Sequence, residues 1–307
     1  MVYIILSIQP CGNDVMMMHE IELKARAKIN LALDVLSRRE DGYHNVRMVM
    51  QTVDLYDYIT IRKTKSPGIK LKSDYKWLPE DERNIAYKAA KLMFDSYSID
   101  EGILINIHKK IPVAAGLAGG SADAAAVLVG LNKLFDLKKT KKELMDLGYQ
   151  LGADVPFCIL RGTALAEGIG EKLTQLPSMP FCYVVIAKPL FSVSTAYVYQ
   201  NLDLNNLSYH PDIEEVIKGI QMGDLEHIAK NLGNVLETVT IKEHPEINDI
   251  KKKMIEFGAL GALMSGSGPS VFGLYKDKKE AQAAYTELKL HSQAKDVFIA
   301  TIFNRER

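Results

Sequence analysis

Pro112 to Ala126 reads PVAAGLAGGSADAAA, a run free of bulky side chains that passes directly into an Ala-rich segment. Val127, Leu128, Leu131 and Leu134 then recur at helical spacing, which predicts a helix with one face packed inward, holding the preceding run rigid. Gly116, Gly119 and Gly120 can take positive φ and let a ligand approach the backbone. The first amides of a helix lack carbonyl partners, and with the helix macrodipole they favour a polyanion at the helix start. The junction is therefore suited to phosphate. Ser121 is placed to cap the helix or to offer its hydroxyl to a phosphate or to its metal, and Asp123 falls in the first turn, where a carboxylate is tolerated. A lone glycine cluster can equally be a tight loop packed on a neighbour, so the rest of the chain has to decide.

At 307 residues the chain is long for a single core, and two domains are the natural expectation. A hydrophobic fraction of 47% with 25% charged residues belongs to an ordinary globular protein and excludes disordered and fibrous classes. Lys plus Arg and Asp plus Glu both number 38, so no net positive field gathers nucleic acid or an anionic membrane, and phosphate binding has to be local. Three cysteines, Cys11, Cys158 and Cys182, form no C-x-x-C pair and suit a reducing cytoplasm. Val2 to Ile8 is apolar but short, lacks a basic leader and runs into Gly12, Asn13 and Asp14, so it reads as neither signal peptide nor anchor. Patterned sequence begins after Met16, Met17 and Met18, which makes residues 1–18 an expected non-core extension, with an extra strand as the alternative.

Strand patterns recur at Ile21 to Ala27, Ile29 to Val35, Val53 to Arg62 and Ile103 to His108. Helices are expected over Asn84 to Tyr97 and Lys141 to Leu151, and a Gly-punctuated hairpin over Gly162 to Leu173. Pro177 and Pro180 precede a new apolar strand, Cys182 to Ala187, which places the domain boundary near residue 178. Helices at Ile213 to Gly219, Asp224 to Leu232 and His244 to Phe257 and a Gly-rich turn at Ser265 to Gly268 follow.

Other segments are more specialised than packing requires. In Ala27-Lys28-Ile29-Asn30 the period of two sends Lys28 and Asn30 to one face. Lys28 is either a solvated edge residue or, beside a phosphate loop, a cation for transferred phosphoryl charge. Asp41-Gly42-Tyr43-His44 is a turn of Asx type carrying an aromatic ring and an imidazole. Asp154, wedged in Leu151-Gly152-Ala153-Asp154-Val155-Pro156-Phe157, is either a helix cap or a working carboxylate, with Lys28 as its expected partner. Ala166-Glu167-Gly168-Ile169-Gly170-Glu171 reads as a hairpin bend, and Met264 to Ser270 as a second Gly-Ser turn. No Walker A string, kinase H-R-D and D-F-G pair, dinucleotide fingerprint, H-x-x-x-H cluster or G-x-S-x-G elbow occurs.

In order and spacing, these motifs together resemble the GHMP kinases, the superfamily named for galactokinase, homoserine kinase, mevalonate kinase and phosphomevalonate kinase. Pro112-Val113-Ala114-Ala115-Gly116-Leu117-Ala118-Gly119-Gly120-Ser121-Ala122 is similar to its ATP-binding loop. The resemblance runs from residue 22 to the end and is narrowest to the branch that phosphorylates a cytidine-diphosphate-linked methylerythritol in non-mevalonate isoprenoid synthesis. It implies an α+β fold of two domains: an ATP-binding domain over residues 19–178, similar to ribosomal protein S5 domain 2, and a ferredoxin-like, substrate-binding domain over 179–307. It also implies ATP and Mg²⁺ as cofactors, Asp154 as general base, and Lys28 as the cation that orients it and stabilises developing charge. By the same resemblance Asn30 and His44 match substrate-binding positions, Tyr43, Thr195 and Tyr199 the cytidine end, and Asn84 the adenine side. No glutamate for Mg²⁺ is evident, which leaves Ser121 or water-mediated contacts. The expected partners are small molecules, without nucleic acid or membrane, in a cytoplasmic monomer or weak homodimer. A kinase for another alcohol, of homoserine or mevalonate type, would share the loop, and a non-catalytic module would be expected to lose Lys28 or Asp154.

Overall fold

A computed structural model of the chain describes residues 7–11, 15–207 and 209–304. Along the chain these residues form β1 (Ser7–Cys11), β2 (Val15–Arg38), β3 (His44–Thr64), β4 (Gly68–Ser73), α1 (Ile85–Tyr97), β5 (Gly102–His108), α2 (Gly119–Leu134), α3 (Lys141–Tyr149) and α4 (Val155–Leu160). The hairpin β6 (Thr163–Gly168) and β7 (Lys172–Gln175) leads to β8 (Tyr183–Pro189), α5 (Thr195–Gln200), α6 (Ile213–Met222), α7 (Leu225–Lys230) and the short β9 (Gly233–Asn234). Then follow α8 (Glu237–Glu243), α9 (Glu246–Glu256), β10 (Gly261–Met264), β11 (Val271–Tyr275), α10 (Lys278–His291) and β12 (Ala294–Thr301). The expected strands Ile21 to Ala27 and Ile29 to Val35 are one continuous strand, because the apolar alternation is unbroken across Lys28.

The chain separates into two compact units, each built from several stretches. The first comprises residues 1–26, 56–111 and 119–160. Its sheet runs β1-β2-β3-β5-β4, with β5 antiparallel to β3 and parallel to β4. Ile21, Leu23, Ile59, Ile61, Ile103 and Ile105 are buried, as are Ala86, Ala89, Ala90 and Met93 of α1. Small residues let α2 sit close: a Cβ on Gly130 would come within 2.7 Å of Ile61 and 2.9 Å of Leu23. Part of the expected extension, residues 1–6 and 12–14, lies outside the described residues; within the rest, Ile8 pairs with Met18 and Cys11 with Val15.

The second unit comprises residues 27–55, 112–118 and 161–307. Here β6 lies antiparallel to β3, from Val46 opposite Gly168 to Gln51 opposite Thr163, and β9 pairs in parallel with β2 at Ala32 and Leu33. A separate antiparallel sheet runs β10-β11-β8-β12, and its core includes Val184, Ile186, Phe272 and Leu274, with Ile250 and Met254 of α9 and Ala281 and Leu288 of α10 also buried. Among the described residues no helix is long and apolar enough to cross a membrane.

Candidate active site

The loop before α2 has left-handed backbone at Ala114 (φ 51°), Gly116 (φ 72°) and Ala118 (φ 55°). Positive φ at every second residue turns successive amides toward one side, the arrangement that makes an anion-binding concavity. Of the three glycines expected to supply that freedom only Gly116 does; Gly119 and Gly120 open α2 in helical conformation, and two alanines take the strained positions instead. The left-handed region costs a residue with a Cβ roughly 1–2 kcal/mol, so the surroundings have to hold Ala114 and Ala118 there. At Gly119 the packing is tight, since a Cβ on it would lie 3.0 Å from Ile111 Cγ2. Because the helix begins at Gly119, Ser121 sits inside its first turn and is not its cap, while Asp123 lies one turn in, buried and ion-paired to Lys109 at 2.8 Å.

Lys28 and Asn30 stand on the part of β2 that belongs to the second unit and are 5% and 0% exposed, which removes the solvated-edge alternative for Lys28. Lys28 Nζ donates to Asn30 Oδ1 at 2.7 Å, Asn30 Nδ2 approaches Met48 Sδ at 3.2 Å, and Lys28 N donates to Leu117 O of the loop at 3.1 Å. The Gly-Ser turn between β10 and β11 closes on the same residues. Ser265 Oγ donates to Gly116 O at 3.0 Å, and a Cβ on Gly116 would fall 2.2 Å from Ser265 O. A Cβ on Gly266 would lie 3.4 Å from Lys28 Nζ and 3.6 Å from Asn30 Oδ1. Ser267 Oγ is 2.8 Å from Thr195 Oγ1, which joins the turn to the start of α5.

Asn234, fully buried in β9, was not singled out by the sequence, yet it holds this turn. Its Nδ2 donates to Met264 O at 2.9 Å and Gly266 O at 2.8 Å, and its Oδ1 accepts from Leu236 N at 3.0 Å. Nothing in the local pattern marks it, because the two carbonyls it donates to lie thirty residues and more away.

At the far end of β2 the Asp41 turn forms as expected: Asp41 Oδ1 accepts from Tyr43 N at 3.1 Å, and Gly42 has φ 85°. The hydrogen bonds from Arg39 hold the Asp41 carboxyl below its ordinary value. Tyr43 is 60% exposed, while His44 is buried with its ring 5.2 Å from that of Tyr199. Burial, and then the Arg38 guanidinium, lower the His44 pKa, which keeps the imidazole neutral and able both to donate and to accept. Tyr43, His44, Thr195 and Tyr199 all belong to the second unit.

Asp154 and Asn84 belong to the first unit. Asp154 immediately precedes α4, and its carbonyl accepts the helix's Cys158 N at 3.1 Å. Asn84 caps α1, accepting from Ala86 N at 2.9 Å and donating to Pro79 O at 2.8 Å. Ser121 is half-buried on α2.

Residues 84–162 match the family model described as GHMP kinases N terminal domain, and residues 213–292 match GHMP kinases C terminal. A relative from Lachnospira eligens named 4-diphosphocytidyl-2-C-methyl-D-erythritol kinase is 53% identical over 93% of this chain and 99% of its own. One of the same name from Acetivibrio thermocellus is 57% identical over 89% of this chain and 96% of its own. The chain belongs to the 4-diphosphocytidyl-2-C-methyl-D-erythritol kinase family of the GHMP kinases. A crystal structure titled 4-(cytidine 5'-diphospho)-2C-methyl-D-erythritol kinase superposes with a TM-score of 0.80 at 32% identity, covering 93% of this chain and 100% of that one. A homoserine kinase structure from Cytophaga hutchinsonii, at 23% identity and a TM-score of 0.76 over 93% of this chain and 96% of that one, shares the two-domain α+β fold of the GHMP kinases. Both matched segments leave out residues 27–55, so Lys28, Asn30, Tyr43 and His44 of this GHMP kinase stand outside them.

Proposed function

We propose that the chain transfers the γ-phosphoryl group of ATP to the C2 hydroxyl of 4-diphosphocytidyl-2-C-methyl-D-erythritol. The observation that carries this reading is the buried Lys28–Asn30 pair, bonded through Lys28 N to the phosphate loop and overlaid by the Ser265–Gly268 turn. A lysine so withdrawn from water is expected to have work beyond solubility. Asp154 takes the proton of the tertiary hydroxyl as that oxygen attacks the γ-phosphorus, and ADP leaves. Lys28 orients Asp154 and balances the charge that develops on the alkoxide and the transferred group, while backbone amides within the Pro112–Ala122 loop, those after the proline, hold the phosphates in line. Asn84 serves the adenine side. Asn30 and His44 bind the acceptor, and Tyr43, Thr195 and Tyr199 hold its cytidine end, where two aromatic faces can enclose a flat base.

Mg²⁺ belongs to this reading as the counter-ion of the phosphates. The donors offered by the loop are backbone amides and the Ser121 hydroxyl, which fits an ion that keeps several waters and is carried mainly by phosphate oxygens. Bound there, it would neutralise phosphate charge. We assign the working form to a cytoplasmic monomer or weak homodimer.

ATP-dependent ADP release against 4-diphosphocytidyl-2-C-methyl-D-erythritol, mevalonate, homoserine and galactose tests the acceptor. Turnover of the cytidine compound alone is expected; comparable turnover of mevalonate or homoserine, with none of the cytidine compound, would refute the assignment. Asp154→Asn and Lys28→Met should each lower kcat by roughly 10²-fold or more with little change in acceptor affinity. Near wild-type kcat in either variant would remove that residue from the mechanism.

A further inference from the structure

Lys109 follows β5, and its side chain is only 5% exposed. Its ammonium is held between two carboxylates: it pairs with Asp57 Oδ2 and, at 2.8 Å, with Asp123 Oδ2. Asp57, fully buried on β3, uses its other oxygen to accept from Lys110 N at 2.5 Å and Ile111 N at 2.8 Å. Asp123 stands on α2, and among the described residues its Oδ1 is buried without a hydrogen-bond partner. Gly119 closes the arrangement: a Cβ there would lie 3.0 Å from Ile111 Cγ2 and 3.5 Å from Lys109 Nζ. One cluster thus joins the chain just before Pro112 to the chain just after Ala118, the two stems of the phosphate loop.

Stability alone is a weak reason for such a cluster. Well-packed apolar side chains of similar volume often match or exceed a buried ion pair in stability, whereas an ion pair fixes direction and distance. Here the fixed elements are two backbone amides at one stem and the first turns of α2 at the other. Two buried carboxylates share one ammonium, and burial, aided by the neighbouring Asp57 carboxylate, outweighs the attraction of Lys109 and raises the Asp123 pKa well above the usual carboxylate range.

We propose that Lys109, clamped between Asp57 and Asp123, is a positioning residue that sets the nucleotide affinity of the loop by fixing both of its stems, without itself touching the nucleotide. This rests on the reading of Pro112–Ala122 as the phosphate loop.

The test uses the full chain and measures KM for each substrate, kcat, binding of a non-hydrolysable ATP analogue by calorimetry, and melting temperature. Lys109→Met, and the charge-balanced double variant Lys109→Met with Asp57→Asn, should raise KM for ATP and the analogue Kd by about ten-fold or more, with KM for the cytidine substrate moved less than about two-fold. Unchanged analogue affinity in a folded Lys109 variant, an equal rise in both KM values, or failure of both variants to fold would overturn the proposal. Gly120→Glu separates the two readings. A Cβ at Gly120 meets only Ile85 Cγ2 at an ordinary 3.4 Å, so the variant should fold while placing a carboxylate where phosphate is expected. If Gly120→Glu leaves analogue binding intact, the loop reading fails; if it abolishes binding and the Lys109 variants do not, only the positioning role fails.

Discussion

At the scale of single residues, His44 offers a direct handle on pH. Its pKa is lowered by burial and by Arg38, so the folded protein resists protonating it. Its contribution to stability is therefore present above the unfolded-state value of about 6.5 and is lost as pH falls from there toward the lower folded-state value. If the neutral ring reads the cytosine edge, KM for the cytidine substrate should stay flat from pH 8 through the ordinary histidine range and rise only below it. His44→Gln should flatten that acid rise, and steady-state kinetics across pH 5 to 8 would show whether it does. Cys182 is a second case: burial pushes its thiol up to about 12, and Cys158 is buried as well. Neither should react with a thiol reagent at pH 8 until the protein is unfolded, which mass spectrometry of the modified chain checks. Lys28, Asn30 and the Asp41 turn were legible because alternation and turn chemistry are local. Asn234, Asp57 and Lys109 were not, because a buried polar residue looks like any surface polar residue until its distant partners are known.

Among the elements, α2 is the one whose placement the phosphate loop depends on, and at Gly130 it lies close against Ile61 and Leu23 of the sheet. Alanine there meets only the movable ends of Ile61 and Leu23, but the branched side chain of Gly130→Val overpacks the contact and should cost about 1–3 kcal/mol, read as a lower midpoint in urea denaturation. A neutral result would mean that α2 can lift from the sheet without penalty. The N-terminal hairpin makes the opposite prediction. The described residues of β1 pair only within Val15–Glu20, so deleting residues 1–14 should change the melting temperature by no more than about 2 °C. A larger fall would give that strand a structural role. Element types were largely readable from period and turn residues, as α1, α3, β5 and the β6–β7 hairpin show. α4 was hidden because Pro156 and Gly152 look like breakers; Pro156 is in fact tolerated as the second residue of a helix, where no amide bond is lost. The left-handed alanines at 114 and 118 were hidden for a related reason: propensity assigns such backbone to glycine, and here the packed loop overrides it.

For the molecule as a whole, the defining fact is that β2 and β3 each contribute residues to both compact units. Melting one unit must fray strands that the other also needs, so heat should unfold the chain in one endotherm with calorimetric and van't Hoff enthalpies in agreement. Two resolved endotherms would show that the shared strands do not couple the units. No local pattern carries this organisation. Periodicity reports that residues 27–55 have a buried face, but not that the strands which flank them, β6 and β9, come from far along the chain. That delay has a consequence during synthesis. When Leu55 leaves the ribosome, β6, the neighbour of Val46–Gln51, is still more than a hundred residues from emerging, and β9, the neighbour of Ala32 and Leu33, still further. At about 5–20 residues per second, that apolar strand edge stays open for roughly 5 seconds or longer in the nascent chain. In the cell, this hairpin is where a growing chain would first need shelter from its neighbours on the same message.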